Sequence, residues 1–225
     1  MNVTIVTPVR DAAGQPLDAL IERLISLTHG HLRFIVVEGD SADDTLDELE
    51  RWTMKIDQLY IVKHDTGKPR FGHVVSQERF KHLAGIINAG VEAAIADDWT
   101  DYILAIPSDV HFEPDLVTRL LAHDKHLIAA MFWTQEAGSL RFYDTWAFSR
   151  AGLNLAPFNF TWYQVHFPTE PTEMDTVGGA ILTRADLFRQ GLKYSLVNLD
   201  RGLCEQVREM GHTVWCDPNT HVIHL

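Results

Sequence analysis

The residues best equipped for chemistry gather where apolar runs stop. Three Val- and Ile-rich stretches each lead into polar side chains. Thr7, Arg10 and Asp11 close VTIVTPVRD, Glu38, Gly39 and Asp40 close RFIVVEGD, and Ser108, Asp109 and His111 close DYILAIPSDVH. If these runs are neighbouring parallel strands, their carboxyl ends line one crevice, the place where open α/β sheets bind ligands. A carboxylate there accepts from a nucleobase imide or a ribose hydroxyl, and a guanidinium meets phosphate. In VVEGDSADDT, Asp43 or Ser41 reads as the cap of the next helix, whereas Glu38 precedes the cap and is better placed to face the crevice.

These side chains need a scaffold, and the patterning supplies one. Strands are expected at 3 to 9, 33 to 39, 59 to 64 and 101 to 108, alternating with helices at 16 to 28, 42 to 56, 77 to 97 and 113 to 124. Leu17, Leu20, Ile21, Leu24 and Ile25 recur at helical spacing, and Pro114 suits a first helical turn. Repeated βα units predict an α/β fold with a mostly parallel central sheet flanked by helices. After about residue 125 the chain turns aromatic and is punctuated by Gly and Pro, reading as irregular strands and loops. A helix at 199 to 211 and a strand at 212 to 218 follow. With no repeat or linker, one domain is expected: a nucleotide-binding half (1 to 124) and an acceptor- and sugar-binding half (125 to 225).

Composition narrows the classes. The 225 residues are 46% hydrophobic, with six Trp and eleven Phe, enough for a packed core and against disorder. The net charge of −12 disfavours nonspecific binding to nucleic acid or anionic membranes. Against that background, residues 62 to 82 carry Lys63, Lys68, Arg70, Arg79 and Lys81. Such a segment could clamp a diphosphate, contact an anionic acceptor such as nucleic acid, or be a solvated loop. Cys204 and Cys216 form no CxxC pair, which fits a reducing compartment. Without an apolar span or a leader pattern, a soluble cytoplasmic protein is expected, and the ending HVIHL fits a piece of something longer. Walker A, GxGxxG, GxSxG and HExxH patterns are absent from the sequence.

VTIVTPVRD followed by FIVVEGDSADDT resembles the opening of the family 2 glycosyltransferases and their relatives with the GT-A (Rossmann-like) fold. GDSADDT is also similar to Golgi mannosyltransferases of the fungal α-mannan type. The resemblance continues, in order, through RFKHLAGIINAGVEAAIADDWTDYILAIPSDVHFEPDLVTRLL, VGGAILTRADLF and LDRGLCEQVREMGHTVWCDPNTHVIHL. It implies transfer of a sugar from a UDP- or GDP-sugar to a hydroxyl acceptor, assisted by Mn²⁺ or Mg²⁺. The donor site would draw on Thr7, Pro8, Arg10, Glu38, Asp40, Arg79, Ser108 and Asp109, with Gly178 and Gly179 in a loop approaching the sugar.

In IPSDVHF, Pro107 takes the first place of the family's Asp-x-Asp motif, leaving Asp109 to hold metal with His111 or His224; His221 is a second candidate for the latter role. Asp200 would be the base that takes the acceptor's proton, although Leu199 precedes it where the family has an acid and a helix N-cap remains its alternative role. In RFYDTWAF, Asp144 would bind sugar hydroxyls and Trp146 would stack on a sugar or pack in the core, with Asp175 also within reach of the donor. Trp133, Trp162 and Tyr163 could shape an acceptor site. A glycan, a lipid, a protein and a hydroxylated base in phage DNA stand open as acceptors, and a degenerate nucleotide-sugar or carbohydrate-binding module is the rival reading.

Overall fold

The computed structural model describes residues 1–71, 76–136, 138–144, 146–154 and 170–225; Trp162 and Tyr163 lie outside them. The first half alternates strand and helix: β1 (Val3–Val9), α1 (Gln15–Ile25), β2 (Leu32–Glu38), α2 (Thr45–Thr53), β3 (Leu59–Lys63), α3 (Gln77–Ala94) and β4 (Tyr102–Ala105). These strands stack in parallel in the order β3-β2-β1-β4. Helices cover such a sheet, so its strands are apolar on both faces. Accordingly Val3, Ile5, Val6 and Val9 of β1 and Phe34 to Val37 of β2 are all buried. In α1, Leu17, Leu20, Ile21 and Leu24 form the buried stripe, while Ile25, in step with them by spacing, is exposed at the helix end.

α3 crosses β1 and β2 at Gly90. A methyl group there would overlap Val6 Cγ1 and come within 2.6 Å of Val37 Cγ2, both side chains being buried. Gly90→Ala should therefore destabilise the fold by about 1–3 kcal/mol despite the better helix propensity of Ala, measured as a lower urea midpoint.

The second half is more regular than its composition predicts. Beyond β4 the chain forms β5 (Val110–Phe112), α4 (Leu116–Leu121), β6 (Leu127–Glu136), β7 (Ser139–Phe142), β8 (Ser149–Arg150), β9 (Leu153–Asn154), β10 (Thr172–Met174), β11 (Ile181–Arg184), α5 (Ala185–Arg189), α6 (Asp200–Glu209) and β12 (Val214–His224). β11 joins β4 antiparallel and continues the sheet through β6, β12 and β10. The long strand β6 supplies buried Leu127 to Trp133, so the aromatic run is core rather than loop. Trp133 is 1% exposed and edge-on to Phe142 at 5.9 Å, which corrects its expected place in an acceptor site.

β12 outruns its expected end at 218 because a register shift between Asp217 and His221 lets it pass Pro218. Asp217 stabilises that irregularity, accepting from the Asn219 N–H and the Thr220 hydroxyl and facing His123 at 3.1 Å. Strand continuation carries His224 back into the sheet, beside Val110 and Thr134. Cys204 and Cys216 are buried and unpaired, and burial pushes the Cys204 thiol up to about 12 and the Cys216 thiol further. Neither should react with a thiol reagent at pH 8 until the protein is denatured, a result readable by mass spectrometry.

Candidate active site

The acids of VVEGDSADDT turn mostly towards the chain itself. Four successive backbone N–H groups in the β1–α1 loop would otherwise lack acceptors. Ser41 Oγ takes that of Asp11 (3.0 Å), Thr45 Oγ1 that of Ala12 (2.7 Å), Asp43 Oδ2 that of Ala13 (3.1 Å) and Glu48 Oε2 that of Gly14 (2.6 Å). Asp43 also accepts from the Thr45 N–H and hydroxyl at the start of α2. The N-cap position itself belongs to Asp44, and Ser41 bonds the opposite loop.

Asp40 accepts from the Thr66 hydroxyl and the Thr66 and Gly67 N–H groups, an arrangement that holds its carboxyl down at about 2. Glu38 is 2% exposed and accepts from the Ser41 N–H. Thr7 is fully buried, with its hydroxyl lacking a hydrogen-bond partner among the described residues. All three stand beneath or beside the crevice rather than in its lining.

The crevice itself is a cavity of about 500 Å³ at the carboxyl ends of β1 and β4, walled by the first turns of α3. That volume suits a small-molecule ligand. Of the residues expected from the sequence, Pro8, Arg10, Arg79, Ser108, Asp109, Asp144, Trp146, Gly179, Asp200 and His224 line it. Arg10 donates to the Lys68 carbonyl at 2.8 Å, fixing the segment after β3 across the cavity mouth, where Arg70 and Phe71 complete the wall.

At one end, His224 Nε2 and Asp109 Oδ2 face each other at 3.3 Å, and Tyr143 stacks on the imidazole with ring centroids 4.4 Å apart and planes 11° off parallel. His111 points away: Val110 and Phe112 are buried, and strand alternation leaves His111 exposed on the other face. His221 contacts the Pro218 carbonyl instead.

Asp144 and Asp200 also line the cavity, approaching each other at Gly178. A methyl group on Gly178 would overlap Asp144 Oδ2 and lie 3.1 Å from Asp200 Oδ2, so only glycine admits this approach. The Gly179 N–H donates to Asp200 Oδ2 (3.2 Å), and the Ala147 N–H donates to Asp144 Oδ1 (3.1 Å). Asp200 opens α6 directly after Leu199, a buried residue at φ +46°, so local strain accompanies its presentation. Leu199 itself takes the N-cap position without a side-chain bond, which separates Asp200 from that role.

Burial, then the charge of Asp144, raises the Asp200 carboxyl to about 7; burial raises Asp144 to about 6; Arg79 counters both. Trp146 packs on Phe80 (4.7 Å, 24°) and lies under the Arg201 guanidinium (5.4 Å). Asp175 accepts from the Gly152 N–H (2.7 Å) and is absent from the lining. Tyr143, Phe71 and Tyr194 line the cavity without having stood out in the sequence, and Arg70 of the basic segment lines it too. Tyr143 stands beside Asp144 in RFYDTWAF, whereas Tyr194 sits in a stretch with no motif.

A family model described as glycosyl transferase family 2 matches residues 4–191. The chain belongs to this family. Among solved structures it is similar to S. aureus TarS (residues 1–349) in complex with UDP-GlcNAc, with a TM-score of 0.62, 11% identity, and 99% of this chain and 56% of that one covered. It is also similar to the mannosyltransferase PcManGT of Pyrobaculum calidifontis in complex with GDP-Man and Mn²⁺ (0.63, 12%, 99% and 56%). GalNAc-T7 with UDP, GalNAc and Mn²⁺ gives 0.66, 10%, 100% and 44%. These likenesses show the GT-A fold, and the chain spans about half the length of those proteins. No curated protein matches it. Among the described residues no helix is long and apolar enough to cross a membrane.

A divalent cation goes with this glycosyltransferase family, and the donor set at Asp109 and His224 fits one. A carboxylate and an imidazole, converging in the cavity wall, suit Mn²⁺ better than Mg²⁺, which prefers oxygen ligands throughout. Among the described residues no cluster of three or more His, Cys, Asp or Glu side chains could hold a metal. The remaining ligands would come from the donor's phosphates and water.

The raised carboxyls also make a stability prediction. Both have folded values above their unfolded ones, so the folded state keeps protons that the unfolded chain has lost. Their contribution is fully present below about pH 4 and is lost as pH rises through the 6 to 7 region. Asp200→Asn should therefore be more stable than the parent by about 1–3 kcal/mol at pH 8 and little different at pH 4, measured by urea unfolding at both.

Proposed function

We propose that this chain is the catalytic domain of a hexosyltransferase that moves a sugar from a UDP- or GDP-sugar to a hydroxyl acceptor. One observation carries the reading: a single cavity at the strand ends holds a metal-fitting Asp109–His224 pair and a carboxylate pair headed by Asp200. Residues 1 to 124 form the nucleotide side, residues 125 to 225 the sugar and acceptor side, and the protein works in the cytoplasm. The resemblance read in GDSADDT to Golgi mannosyltransferases of the fungal α-mannan type is the ground for taking a hexose as the sugar.

Arg10 and Arg79 bring positive charge to the donor's diphosphate. Asp109 and His224 would hold the cation, which when bound offsets the charge developing on that leaving group. Asp144 accepts from sugar hydroxyls beside Gly179. Asp200 takes the proton of the acceptor hydroxyl as the new bond to the anomeric carbon forms through an oxocarbenium-like transition state. Thr7, Glu38 and Asp40 support the nucleotide side from behind, Asp40 by tethering residues 66 and 67.

Pro107 in the first Asp place favours a second reading, a module that binds a nucleotide sugar without turnover. The separating experiment follows UDP or GDP release by chromatography in Mn²⁺, with glycan, lipid, protein and hydroxymethylated DNA offered as acceptors. Release that depends on one acceptor supports the transferase. Donor binding without acceptor-dependent release of either nucleotide supports the module.

A further inference from the structure

We propose that Asp144 and Asp200 act as one electrostatically coupled carboxylate pair, with Asp144 the positioning residue that sets when Asp200 can accept from the acceptor. The geometry is a shared point of approach. The Cα of Gly178 presents its open side to both carboxylates, Asp144 Oδ2 against it and Asp200 Oδ2 just beyond. Each has one backbone donor, from Ala147 and Gly179 respectively, and no hydrogen bond between the two acids or to another side chain is found among the described residues. A half-buried carboxylate pair with so few donors cannot carry two full charges cheaply.

The groups facing the pair are few and known. Arg79 of α3 reaches both acids; Tyr194 and Cys204 face Asp200; Tyr143 flanks Asp144 and feels its charge. Among the described residues Arg79 is the cation that acts on both, set against two carboxyls. A charge on either carboxylate raises the other. Titration belongs to the pair, in two steps.

Its role in transfer depends on Asp200 being the acceptor's base. The bond from the anomeric carbon to the leaving phosphate oxygen breaks, its electron pair leaves with the diphosphate, and the bond to the acceptor oxygen forms. The acceptor's proton goes to Asp200 and escapes to solvent after product leaves. Asp144 controls the fraction of protein in which Asp200 is free to take that proton, in addition to any sugar it holds.

The test needs no acceptor. Protein labelled with ¹³C at the aspartate side-chain carboxyls is titrated by NMR between pH 4 and 9, as the parent chain, Asp144→Asn and Asp200→Asn. The pair predicts reciprocity: the Asp200 midpoint falls by about one pH unit in Asp144→Asn, and the Asp144 midpoint falls in Asp200→Asn. Midpoints unmoved in both variants, with amide spectra showing both folded, overturn the pair. The ³¹P signal of added UDP or GDP with Mg²⁺ reports donor binding separately. Reciprocal shifts uphold the pair even if neither nucleotide binds, in which case the transferase reading fails alone.

Discussion

Asp200→Asn is expected to lower acceptor-dependent transfer by about 10²–10⁴-fold while leaving donor affinity within about twofold. Asn keeps the size of the side chain and can still accept from the Gly179 N–H, but it cannot take the acceptor's proton. The loss should therefore fall on kcat and not on donor Kd. The same assignment gives a pH profile for the parent enzyme. Burial and the neighbouring Asp144 charge raise the Asp200 carboxyl to about 7, so its base form grows in through neutrality, and kcat should rise between pH 6 and 8 before levelling. Steady-state rates and calorimetric donor affinities on the two proteins test this together. Full activity in Asp200→Asn would return this residue to a structural role.

Asp109→Ala should weaken binding of the UDP- or GDP-sugar in Mn²⁺ by about 10- to 100-fold and abolish the difference between Mn²⁺ and EDTA. Alanine removes one of the two protein ligands proposed here, at a site where the described residues offer no third. The imidazole of His224 alone, though still braced by Tyr143, makes a poor anchor for a hydrated divalent ion. His224→Ala should follow in the same direction. Titration calorimetry with donor and Mn²⁺ decides it: unchanged affinity in Asp109→Ala would leave the diphosphate to Arg10, Arg70 and Arg79 without help from a cation.

The parallel half was legible because its physics is local. Buried parallel strands must be apolar throughout, and amphipathic helices must alternate with them, so β1 to β4 and α1 to α3 show in residue patterning alone. The strand-end rule then placed Arg10, Ser108 and Asp109 at the cavity. The same rule could not separate acids that face a ligand from acids that satisfy the chain. Asp40 and Asp43 are claimed by backbone N–H groups, which only the path of the loops at 11–14 and 66–67 reveals.

Beyond residue 125 the limits were different. The run LIAAMFWTQE has neither helical spacing nor alternation because β6 is buried among neighbours on both sides, and its aromatics resemble loop composition. His224 reaches Asp109 through a strand irregularity at Pro218, where sequence predicts an end. The meeting of Asp144 with Asp200 depends on Gly178, which the motif marked, and on burial, which it could not show. Tyr194 is tied to Asn88 by two hydrogen bonds spanning 106 positions, a contact with no local trace.

The central claim is that this cavity binds a nucleotide-diphosphate sugar around Asp109. Thermal unfolding against UDP-, GDP-, CMP- and dTDP-sugars, each with Mn²⁺ or with EDTA, tests it most directly. A ligand at a hundred times its Kd adds about 2.7 kcal/mol of stability, enough to move Tm by several degrees. A rise is expected with UDP- or GDP-sugars in Mn²⁺, reduced in EDTA and in Asp109→Ala. Folded protein whose Tm is unmoved by every donor would contradict it.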